Sequence, residues 1–122
     1  MISIVDDDDS VRESLKSLIR SVGYYAEAFD SAEAFLDSDQ RSNADCLILD
    51  VRMPGIGGLE LQRLLTAANS HIPIIFITAH GDDEARFQAL NDGAVGFLFK
   101  PFSEEALLKA VDAALKKLIT AP

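Results

Sequence analysis

Short apolar runs that alternate with helix-patterned segments limit what this chain can fold into more than any other feature. Ile2 to Val5, Tyr24 to Phe29, Cys46 to Leu49, Pro73 to Ile77 and Val95 to Phe99 read as strands. Between and after them lie segments of helical spacing. Val11, Leu15, Leu18, Ile19 and Val22 form one stripe, stopped by Gly23. A short helix is expected over about Ser31 to Asp37, and Leu61, Leu64, Leu65 and Ala68 mark a third. A polar helix spans about Asp83 to Asn91 before Gly93, and Leu107, Ala110, Val111, Ala114, Leu115 and Leu118 line the last. Ser10 with Glu13 fits a capping box for the first helix, and Asp8 or Asp9 fits the cap equally well.

Strand–helix alternation implies an α/β fold with a parallel sheet and helices on both faces. At 122 residues the chain holds one domain and one layered core. The flavodoxin-like doubly wound order 2-1-3-4-5 suits five strands at this length. No repeat, low-complexity tract or second domain is visible over residues 1–122, and Ala121-Pro122 resembles the start of a linker.

In such sheets the functional site lies beyond the carboxyl ends of the strands. Here those ends carry chemistry. The first strand runs into Asp6-Asp7, the third ends at Asp50, the fourth at Thr78 and the fifth at Lys100. Clustered carboxylates repel one another, and a hard cation such as Mg2+ removes the repulsion with oxygen ligands. A carboxylate there can attack phosphorus to give an acyl phosphate. A lysine supplies a point charge for a phosphoryl oxygen, and a threonine hydroxyl supplies a hydrogen bond. Taken singly, each residue is ordinary: an acidic turn, a helix cap, a surface lysine. Their arrival together at four strand ends is the signal.

Composition removes other classes. The net charge of −9 repels nucleic-acid phosphates, so this domain is not expected to bind DNA itself. No apolar stretch reaches membrane-span length, and the lone Cys46, set in an apolar run, reads as a buried inert thiol of a cytoplasmic protein. Zinc-type histidine spacing and a Gly-rich phosphate loop are both absent. His71 reads as a loop residue; His80, two residues past Thr78, reads as an exposed loop histidine near the site.

Val5-Asp6-Asp7-Asp8, Leu49-Asp50-Val51-Arg52-Met53-Pro54 with Gly58, Ile77-Thr78-Ala79 and Phe97-Leu98-Phe99-Lys100-Pro101-Phe102 occur in this order along the chain. Together they resemble the receiver domain of two-component response regulators. Ser31 to Leu36 and Thr78 to Asp82 are most similar to the FixJ-type transcriptional regulators. The resemblance implies a CheY-like fold with Asp50 as phosphoacceptor and Mg2+ as cofactor. It implies that Asp7 binds the ion directly, Asp6 mostly through water, and that the Arg52 carbonyl adds a ligand. Thr78 and Phe97 become a switch pair, Ala79 and Lys100 contact phosphate, and Pro101 follows a cis peptide. The implied partners are a sensor histidine kinase and a second copy, joined through helix four and strand five after phosphorylation. A C-terminal DNA-binding effector, outside this chain, would carry the output. Phosphotransfer and dephosphorylation by the domain itself would be weak.

Gly96 and Phe99 depart from the FixJ-type pattern, where an aspartate and a glutamate are common. Phe99 either exposes an apolar edge or packs under the last helix against Leu107. A phosphorylation-independent interaction module is the alternative within the family. A flavin- or nucleotide-binding module lacks its phosphate-cradling glycines. A phosphatase using Asp50 would want an acid where Arg52 stands.

Overall fold

A computed structural model describes residues 1–39, 43–79 and 83–120, with the side chains of 117–120 left aside. Among these residues the elements alternate as the apolar runs require. They are β1 (Ile2–Val5), α1 (Asp9–Ser21), β2 (Ala26–Phe29), α2 (Ala32–Leu36), β3 (Cys46–Asp50), α3 (Gly58–Ala67), β4 (Ile74–Thr78), α4 (Asp83–Asn91), β5 (Gly96–Phe99) and α5 (Glu104–Thr120). The strands form one sheet in the order β2-β1-β3-β4-β5, and each neighbouring pair is parallel.

β1, β3 and β4 are buried along their whole length, which explains why they read as unbroken apolar runs rather than alternating ones. Strand alternation sends side chains to two cores. Ile4, Cys46, Ile48, Ile75 and Ile77 meet Leu15 and Ile19 of α1 and Leu107, Val111 and Ala114 of α5. On the other face Leu47, Leu49 and Phe76 meet Phe35 of α2, Leu61 and Leu65 of α3, and Ala85 and Ala89 of α4.

Several expected details differ. Asp8, not Ser10, caps α1: its side chain accepts a hydrogen bond from the Val11 amide at 3.1 Å, and Ser10 already lies inside the helix. β2 begins at Ala26 rather than Tyr24, because Ala26 is already opposite Ile2, the first residue of β1. Tyr25 gives only its carbonyl to the Ile2 amide and leaves its ring 84% exposed. Gly58, read as part of a loop, is the first residue of α3. Leu64, counted in the apolar stripe, is an exposed large hydrophobic. Leu118, His80 to Asp82 and the Ala121-Pro122 end lie outside the described side chains, so those readings have no structural counterpart.

Candidate functional site

The carboxyl edge of the sheet gathers the charged residues. Asp6 follows β1 and is fully buried, Asp7 beside it is exposed, and Asp50, the last residue of β3, is 5% exposed. One oxygen from each of the three lies within 4.8 Å of the others. Lys100, just past β5, places Nζ 2.8 Å from Asp6 Oδ2 and 3.8 Å from Asp50 Oδ2. Its backbone amide donates to the Thr78 carbonyl at 2.7 Å, and the Lys100–Pro101 peptide is cis.

Local geometry holds each carboxylate. Asp6 Oδ1 accepts the Asp8 amide at 2.9 Å, and Arg12 of α1 donates to the Asp6 carbonyl at 2.7 Å. Arg12 also pairs with Asp9. The Arg52 amide points to Asp50 Oδ1 at 3.4 Å, a long contact. Beneath Asp50 the chain turns tightly: a Cβ on Gly58 would come 2.3 Å from the Asp50 carbonyl oxygen. Glycine is therefore required there by close approach of two backbones.

The electrostatics of Asp50 follow from this crowding. Burial raises its pKa first, and the Asp6 charge raises it further. Lys100 and the Arg52 amide pull the other way, leaving Asp50 at about 6. It is thus mostly ionised at neutral pH while keeping a raised basicity. Cys46, by contrast, is driven up to about 12 by burial and the nearby Asp45, so its thiol stays protonated.

The three carboxylates suit a hard divalent cation. Opposite ligands of an octahedral Mg2+ stand about 4.2 Å apart, at roughly 2.1 Å each from the ion. Neighbouring ligands stand closer, at about 3.0 Å, so aspartate oxygens within 4.8 Å of one another would draw in by side-chain rotation to share one ion.

Thr78 ends β4 and is buried, opposite Phe99 in the β4–β5 register. Ala79 is exposed just beyond it. Phe97 stands apart from the carboxylates. Its ring lies 6.0 Å from Phe76 and 5.4 Å from Phe99 on the α4 side of the sheet. That settles the two readings of Phe99. Leu107 belongs to the opposite face, so Phe99 does not pack beneath α5; it is 37% exposed beside Phe97. Sequence reasoning missed Arg12 and the backbone contact at Gly58. Arg12 carried only a weak signal, a cation one helical turn after the acidic run.

The response regulator receiver domain model matches residues 2–112. The chain belongs to that family. TodT, a response regulator of Pseudomonas putida, is 53% identical over 116 residues, which are 95% of this chain and 51% of TodT. The transcriptional regulatory protein FixJ of Azorhizobium caulinodans is 45% identical over 114 residues, 93% of this chain and 54% of that protein. The solved structure of the response regulator StyR superposes with a TM-score of 0.88 at 50% identity, covering 94% of this chain and 58% of StyR. The chain thus spans about half the length of the curated relatives it matches. As a receiver domain it is a signalling phosphoacceptor of two-component systems, not a conventional enzyme, and its sheet has the CheY-like order. No helix among the described residues is long and apolar enough to cross a membrane.

Proposed function

We propose that Asp50 accepts a phosphoryl group from a phosphohistidine of a sensor histidine kinase in the cytoplasm. The observation that carries this is the ionised, nearly buried Asp50 carboxylate with Lys100 3.8 Å away and two further aspartates beside it. Asp50 Oδ attacks phosphorus as the P–N bond breaks, and the imidazole leaves with the bonding pair. Lys100 Nζ then neutralises a phosphoryl oxygen, which costs little rearrangement because it already stands between Asp6 and Asp50. Asp7, Asp50 and the Arg52 carbonyl would hold Mg2+, with Asp6 acting mostly through water, and the ion would supply charge neutralisation for the incoming group. The Thr78 hydroxyl and the Ala79 amide complete the phosphate contacts.

The output is a change of surface. Drawing Thr78 toward the phosphate opens room for the Phe97 ring, which lies on the same face as Phe99. The altered surface carries Phe87, 73% exposed on α4, with Leu90 and Phe99 near the β5 edge. This surface joins two phosphorylated copies, and a C-terminal DNA-binding segment transmits the change to transcription.

The test is incubation with acetyl phosphate and Mg2+ followed by intact mass spectrometry. One phosphoryl adduct is expected, absent in Asp50→Asn and absent without divalent metal. An adduct that persists in Asp50→Asn would assign the wrong carboxylate.

A further inference from the structure

We infer that Arg12 is a positioning residue of the acidic edge: its guanidinium fixes the turn that aims Asp7 at a divalent cation. The inference rests on the reading of Asp6, Asp7 and Asp50 as a metal site. Arg12 is the fourth residue of α1 and supplies no ligand atom itself.

Asp6 and Asp7 stand between β1 and α1, so neither strand nor helix geometry sets their conformation. Their turn is pinned at separate points instead. The Asp6 amide donates to the Phe29 carbonyl of β2 at 3.2 Å. Asp6 Oδ1 accepts the Asp8 amide at 2.9 Å, and Asp8 in turn caps α1. The Asp6 carbonyl is a third point, and Arg12 Nη1 donates to it at 2.7 Å. β2 ends at Phe29, so the guanidinium takes this carbonyl where the β1–β2 ladder stops. The carbonyl shares one rigid peptide plane with the Asp7 amide. Holding it therefore sets the direction in which the Asp7 side chain leaves the backbone. Asp6 is fully buried and also held by Lys100, whereas Asp7 is exposed and gains nothing from packing. The clamp thus matters most for Asp7.

Charge separates this role from a simpler one. A bare cation beside a metal site repels the metal. Arg12 is paired with Asp9, which offsets its charge, and its side chain is only 16% exposed. The planar fork makes both bonds at once, which an ammonium group does less well. Arg12 therefore acts on the edge as an ordered donor rather than as a field. Mg2+ binds through one or two carboxylates in strict octahedral geometry, so a misaimed Asp7 costs affinity.

The two roles predict opposite signs, and Mg2+ affinity reads them. Arg12→Met keeps an apolar stem and removes both donor and charge. Loss of a field would tighten Mg2+ binding; loss of the clamp should weaken it by roughly tenfold. Arg12→Lys keeps the charge and loses the fork, so a field role predicts no change and the clamp predicts intermediate weakening. Dissociation constants come from amide resonance shifts of the isotope-labelled domain titrated with Mg2+. The temperature is one at which every protein is folded in chelator, so global stability does not enter. In metal-free Arg12→Met the Asp7 and Asp8 amide resonances should move while those of β4 stay in place. Equal or tighter Mg2+ binding by Arg12→Met would overturn the inference, even if its melting temperature fell. A wild-type domain that bound no Mg2+ would overturn the metal site as well, a result distinct from wild type and variant binding alike.

Discussion

At the scale of one residue, Asp50 is held in tension. Its carboxylate is needed ionised, yet burial and Asp6 raise its pKa to about 6 from an ordinary 3.8. The folded state therefore binds the proton more tightly than the unfolded chain. That contribution to stability is fully present below about pH 4 and is lost as pH rises through 6. Without divalent metal, Asp50→Asn should thus be more stable than wild type at pH 7.5, by on the order of 2 kcal/mol. The gap should close by pH 4. Thermal melts of both proteins across that range, in chelator, check it; a constant gap would mean that Asp50 is not the strained group. The site was legible because its residues sit at strand ends, and a strand end is fixed by where an apolar run stops. Asp6, Asp7, Asp50 and Lys100 converge for that reason. The contact made by Arg12 was not legible. It falls in the first turn of α1, but helical spacing does not say that its guanidinium reaches back to the Asp6 carbonyl.

At the scale of elements, the loop from β3 into α3 is built around contact between backbones. Val51 donates to Ile77 and accepts from Gly58, and a Cβ at Gly58 would strike the Asp50 carbonyl oxygen at 2.3 Å. Gly58→Ala should therefore cost about 2–3 kcal/mol, the scale of an overpacked core position. It should also slow phosphorylation by acetyl phosphate, since the displaced backbone is that of Asp50. Loss of stability with an unchanged rate would separate the loop from the site. Element ends were the least legible part of the chain. β2 stops short of Tyr24 because its partner β1 begins at Ile2, a constraint set by pairing and invisible in local pattern. The face occupied by Phe99 was open for the same reason: alternation assigns it only once Phe97 and Leu98 are placed against the two cores. With Phe99 on the α4 side and 37% exposed, Phe99→Glu should leave the melting temperature within a degree or two of wild type. It should abolish the association of the phosphorylated domain seen by analytical ultracentrifugation. A large loss of stability would place the ring in the core instead.

At the scale of the whole molecule, charge and core oppose each other. The chain carries a net charge of −9, and its two cores meet at a sheet whose carboxyl edge gathers three aspartates. Lys100 offsets part of that repulsion through Asp6 at 2.8 Å and Asp50 at 3.8 Å, but one ammonium cannot balance three carboxylates. A divalent cation at this edge would be held by residues that follow β1 and end β3, neighbouring strands of the sheet. Its binding is then coupled to the folding of the whole domain rather than to one loop. Ligand linkage gives the size: at about 100 times Kd, an ion that binds only the folded state adds roughly 2.7 kcal/mol. Thermal unfolding in Mg2+ should accordingly run several degrees higher than in chelator. Asp7→Ala, a change at an exposed position that leaves the cores intact, should remove most of the difference. Sodium chloride at matched ionic strength serves as the control, because general screening of a −9 surface also stabilises. If sodium reproduced the whole shift, or if Asp7→Ala retained it, the three aspartates would be an acidic patch rather than a metal site.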